Sequence, residues 1–60
     1  MTGAEFQNAL WTLNLTKAEL SREIGVHRVT LQRYINGTLA VPKLLERYIE
    51  LRLDKLEAMR

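Results

Sequence analysis

The stretch Thr16 to Gly37, TKAELSREIGVHRVTLQRYING, restricts the possible folds of this chain more than any other part of it. It holds two short apolar-periodic segments that meet at Gly25-Val26. In the first, Leu20 and Ile24 stand four apart and share one helical face. In the second, Leu31 and Tyr34 stand three apart and also share a face. On the opposite side Arg28, Val29, Gln32, Arg33 and Asn36 recur at helical spacing, and no acidic residue interrupts the second segment. Helices of about two turns are too short to persist alone in water, so these two must pack on each other. The outer row of the second then projects as a comb of side chains of the kind that reads base edges. This is a helix-turn-helix pattern, and it points to DNA.

Size and composition remove most alternatives. Sixty residues make one domain near the lower limit for unaided folding. Without Cys there is neither a disulfide framework nor a thiolate metal site, and the single His27 has no set of partner ligands, so no metal or cofactor is expected. With 47% hydrophobic residues, no long apolar run and no signal-peptide pattern, the expectation is a soluble cytoplasmic protein without a membrane partner. A net charge of +2 says little about nucleic acid, but its distribution says more. All the acids lie at or before Glu23 or at or after Glu46; between them stand His27, Arg28, Arg33 and Lys43.

The order of residues in Thr16–Gly37 is similar to the helix-turn-helix of the Cro and phage-repressor (Xre-like) family. That pattern has a small residue mid-way in its first helix, here Ser21, and a glycine four residues later, here Gly25. Leu20, Ile24, Val26, Leu31 and Tyr34 fill its apolar positions. The run Thr30 to Gly37, with Pro42 soon after, resembles the family's end of the recognition helix. Two positions depart from it: His27 stands where Ser or Asp usually caps that helix, and Ile35 where Glu is common. The resemblance implies an all-α fold, a small lambda-repressor-like helix-turn-helix domain of four helices, and a regulator that binds DNA as a homodimer. With the small size, it implies a phage or prophage repressor.

In chain order, Thr2 and Glu5 form a capping box that opens a first helix, with Phe6, Ala9, Leu10 and Leu13 as its inward stripe. Trp11 falls off that stripe; packing on the flank of the core is the expectation for it, with a surface contact as the alternative. Asn14 is suited to a left-handed stop. Thr16 and Glu19 repeat the capping box, worth roughly 1 kcal/mol, at the start of a second helix that ends at Ile24. Gly25 takes a positive φ, and Ser21 is small because the facing helix comes close. Glu23 reads as a solvated charge. The third helix spans Arg28 to Ile35 and closes on Asn36-Gly37, a pair suited to left-handed geometry. Pro42, as a first helical residue, opens a fourth helix that nothing interrupts before Arg60. Its apolar stripe of Leu45, Tyr48, Ile49, Leu56 and Met59 is widened by Leu44, Leu51 and Leu53. A small body cannot cover all of it, so Leu53, Leu56 and Met59 are expected to seek a second copy of the chain.

The expected chemistry is direct readout of double-stranded DNA. Arg28 and Arg33 can fork onto guanine or grip phosphate, Gln32 and Asn36 can pair with adenine, and Val29 can meet a thymine methyl. Lys17, Lys43 and the amides at the start of the second helix are candidates for phosphate. The alternative is a small protein-interaction module or antitoxin-like protein on the same fold, since fold does not dictate function. No carboxylate pair, activated nucleophile or Gly-rich phosphate loop indicates an enzyme, and no small-molecule substrate is evident.

Overall fold

A computed structural model describes residues 1–59. It contains four helices and no strand among the described residues: α1 (Gly3–Thr12), α2 (Lys17–Ile24), α3 (Arg28–Ile35) and α4 (Lys43–Ala58). The expected extension of the fourth helix to Arg60 ends on a residue outside the described ones. No helix among the described residues is long and apolar enough to cross a membrane, and no group of side chains there could hold a metal ion.

Each helix begins where local chemistry permits. Thr2 caps α1: its hydroxyl accepts from the Glu5 amide at 3.1 Å, while the Glu5 carboxylate accepts from the Thr2 amide at 2.7 Å. Thr16 and Glu19 repeat this at α2, both bonds being 3.1 Å. Each box satisfies amides that the helix itself leaves without a partner. Asn14, at φ 53°, turns the chain between α1 and α2, and Gly25, at φ 71°, ends α2 with its amide on the Ser21 carbonyl. At the end of α3 only Gly37 is left-handed, at φ 83°. Asn36 keeps φ −84° because its side chain closes the turn locally, its Oδ1 accepting from the Thr38 amide at 3.0 Å. The pair thus divides the task assigned to both. Pro42 is likewise displaced by one residue. It caps α4 in extended conformation with ψ 146°, and its carbonyl accepts from the Glu46 amide, so Lys43 is the first helical residue.

The core sits where α1 packs on α3 and α4 and where α2 packs on α3. Phe6, Leu10, Leu20, Leu31 and Ile49 are wholly buried, and Ala9 and Leu45 join them in the core. These five come from all four helices. Each contributes roughly 1.5–3 kcal/mol when buried. Tyr34 closes one side, its ring standing edge-on to Phe6 at 86° with centroids 6.2 Å apart. Among the described residues, no polar side-chain atom is buried without a partner.

Two ties hold α4. The Met1 ammonium meets the Glu46 carboxylate at 3.1 Å. Farther along, one Arg52 nitrogen donates to both Glu23 oxygens, at 2.7 and 2.8 Å, and to the Tyr48 hydroxyl at 3.1 Å. Glu23, read from sequence as a solvated charge, is therefore the α2 end of a link to α4. Its partner lies 29 residues away, beyond any local pattern.

The exposed apolar residues differ in part from expectation. Trp11 does not cover the core's flank; it is 70% exposed. Leu53 does not stand free, because it packs against the core and is half-buried. Leu56 is also half-buried, whereas Met59 is 74% exposed. Leu44 and Leu51, 87% and 52% exposed, lie away from the Leu45–Ile49 face of α4.

Candidate nucleic-acid interface

The candidate site is the outer side of α3, and the burial of Leu31 determines which side that is. With Leu31 wholly buried and Tyr34 half-buried against Phe6, helical periodicity turns Val29, Gln32, Arg33 and Asn36 to solvent, with Arg28 on the flank. All five are exposed, Val29 by 53%. Arg28 and Arg33 form no ion pair among the described residues, so both guanidinium groups are available to an outside acceptor. The helix carries no acid.

His27 takes the position usually filled by a short polar cap. Its Nδ1 accepts from the Val29 amide at 3.1 Å, which requires a lone pair there and the ring proton on Nε2. The imidazole thus does the work of a Ser or Asp cap with a ring nitrogen, and it fixes the first turn of α3. That first turn carries Arg28 and Val29.

Three of the expected contact residues are already engaged. The Lys17 ammonium donates to Oε1 of Gln32, joining the first residue of α2 to the middle of α3 across 15 positions. Asn36 uses one oxygen lone pair on Thr38, which leaves its Nδ2 donors and one further lone pair of Oδ1 free. Asn36 therefore has less freedom for a two-point adenine contact than an isolated side chain. Lys43 is exposed in the first turn of α4.

Beside this row stands the start of α2. Its capping box orients the first-turn amides, and Glu19 is turned into the cap. The hydrogen bond from the Thr16 amide, then that involving the Thr16 side chain, holds the Glu19 carboxyl below the usual carboxylate range. The acid in the first turn of α2 is thus occupied within its own capping box. Gln7, Trp11, Asn14, Thr16 and Lys17 line one shallow depression there. Trp11, for which the sequence leaves a surface position open beside flank packing, lines this depression and is 70% exposed.

The arrangement is a short, capped helix presenting donors outward, with a second helix terminus and a lysine beside it. Such a surface can meet phosphates and base-edge acceptors in a major groove. Among known proteins, the family model described as helix-turn-helix matches residues 12–56, which takes in α2, α3 and most of α4. No curated protein and no solved structure gave a match. With the match covering more than half of the chain, the protein belongs to the Cro/C1-type helix-turn-helix family of DNA-binding regulators.

Proposed function

We propose that the protein is a sequence-specific transcriptional repressor of the phage or prophage type, which binds a palindromic operator as a homodimer. The observation that carries this reading is the exposed, acid-free row on α3, whose two arginines have no ion pair among the described residues. In the complex, α3 lies in the major groove. Arg28 and Arg33 contact guanine or phosphate, Val29 meets a thymine methyl, and Gln32 contacts a base edge. Asn36 donates through Nδ2, while Lys17, Lys43 and the first-turn amides of α2 meet the backbone.

A helix of eight residues reaches only a few base pairs, so useful discrimination requires two copies about 34 Å apart on successive turns of the duplex. The self-complementary surface is assigned to the C-terminal end of α4, at Leu56 and Met59. Leu53, committed to the protomer's own core, contributes there only through its exposed part.

Selection of bound sequences from a random double-stranded DNA pool tests both parts. A consensus made of two inverted half-sites is the expected result. A single unrepeated motif would remove the dimer, and the absence of any enriched sequence would favour a protein-interaction module instead.

A further inference from the structure

The contact between Lys17 and Gln32 bears on which base is read, an inference that rests on the DNA-reading function proposed above. An ammonium group has only donors, so the Gln32 atom that faces it must be the oxygen. The orientation of that amide is thereby determined chemically, although oxygen and nitrogen are otherwise easily exchanged in such a side chain. Its Nε2 end, with two N–H donors, faces away from Lys17. The two side chains together then offer donors to the groove: the Gln32 NH₂ and the remaining N–H groups of Lys17.

We propose that Lys17 is a positioning and specificity-determining residue, which commits Gln32 to guanine in place of the adenine that a free glutamine would favour. In the major groove, guanine presents two adjacent acceptors, N7 and O6. Adenine presents N7 beside an N6 amino group, and that donor would be set against the Lys17 ammonium and would compete with it for Oε1. Cytosine presents a donor, and thymine a single acceptor beside a methyl group. Only guanine offers two adjacent acceptors and no donor to a pair that offers donors. Lys17 thus acts on sequence preference through Gln32 as well as on the DNA backbone.

The test uses the full chain and a random double-stranded DNA pool, with selections by the wild type, Gln32→Ala and Lys17→Met. Gln32→Ala identifies the base pair concerned as the one whose preference relaxes. At that pair the wild type should favour guanine over adenine on the order of ten- to a hundredfold. Lys17→Met should abolish that preference or move it to adenine, with the other positions of the consensus unchanged. In the free protein, the side-chain amide resonances of Gln32 should shift in Lys17→Met, and the backbone resonances of α3 should not. Adenine at that pair in the wild-type selection would overturn the assignment. So would a Lys17→Met variant that binds all sequences more weakly but still selects guanine, which is the behaviour of a phosphate contact alone. A Gln32→Ala selection that relaxes no pair, or unmoved Gln32 resonances, would do the same. If the wild type enriches nothing, the DNA-reading function fails, and this assignment fails with it.

Discussion

At Gly3 the absence of one methyl group sets how closely α1 approaches α3. A Cβ built there would lie 2.1 Å from the Ile35 carbonyl oxygen and 2.6 Å from that of Tyr34. Glycine to alanine in a helix ordinarily gains up to about 1 kcal/mol. Here the obstacle is backbone that cannot swing aside, so Gly3→Ala should lower stability by about 1–3 kcal/mol, measured by thermal or urea unfolding. Equal or higher stability would mean that α1 shifts freely along α3. Gly25 presents the opposite case. Nothing lies within 4 Å of its would-be Cβ, so a side chain there meets no crowding and only the φ of 71° matters. Gly25→Val should still cost more than roughly 1 kcal/mol, through backbone strain alone. Unchanged melting would refute that strain. Glu5 and Glu19 supply a third case. Hydrogen bonds from the Thr2 and Thr16 amides lower both carboxyls from the ordinary 4.5. Their stabilisation is therefore complete above that value and is lost as pH falls through the lowered one. The double variant Glu5→Gln, Glu19→Gln keeps oxygen acceptors but no charge. Its melting temperature should fall less than that of the wild type between about pH 5 and pH 3.

At the scale of the element, α3 is held in place by a side chain at each end and by Leu31 and Tyr34 along its length. His27 starts it, Asn36 and Gly37 stop it, and the apolar pair sets its rotation. Binding side chains on such a helix can change without loss of the fold, because they face solvent. Arg33→Ala should leave the melting temperature near that of the wild type. It should weaken binding to the selected site by about 1–3 kcal/mol and relax preference at one base pair. An equal loss on selected and random DNA would make Arg33 a phosphate contact, and unchanged affinity on both would remove it from the interface. The α4 helix is different in kind. Leu45 and Ile49 bury its N-terminal half, the Arg52–Glu23 pair ties its middle to α2, and its last turn carries exposed Met59. That pair is partly exposed, so its value lies more in orienting the two helices than in stability.

For the whole molecule, extents of 34 × 21 × 18 Å describe an elongated body. The dimer assignment predicts that Leu56→Glu keeps its helicity by circular dichroism, sediments as a monomer and loses tight binding to the selected site. Leu56 is half-buried, so Met59→Glu, at a 74% exposed position, gives a parallel test that does not disturb the core. Leu44 and Leu51 offer a competing surface on the outer side of α4. If Leu51→Glu alone dissolves the dimer, the two-fold contact runs along that side and not at the end of the helix. A wild type that remains monomeric at high concentration, free and on DNA, would end the dimer proposal.

Most of the backbone of this protein was legible in its sequence, because the signals that shape it act over three or four residues. Thr2 with Glu5, Thr16 with Glu19, Asn14 and Gly25 each stated a helix boundary through local hydrogen bonding or an allowed φ. The spacing of Leu20, Ile24, Leu31 and Tyr34 stated which sides face inward, and so which row of α3 faces out. What local patterns could not state was contact between distant residues. That Gly3 meets the Ile35 carbonyl, that Glu23 meets Arg52, and that Lys17 meets Gln32 depends on the packing of helices far apart in the chain. The same holds for the fate of apolar side chains off the main stripes. Trp11 reads as a flanking hydrophobic and Leu53 as one left outside the body, and only the positions of the neighbouring helices left the first in water and drew the second onto the core. Periodicity gives the direction of a side chain from its own helix axis; tertiary packing alone determines whether anything stands in that direction.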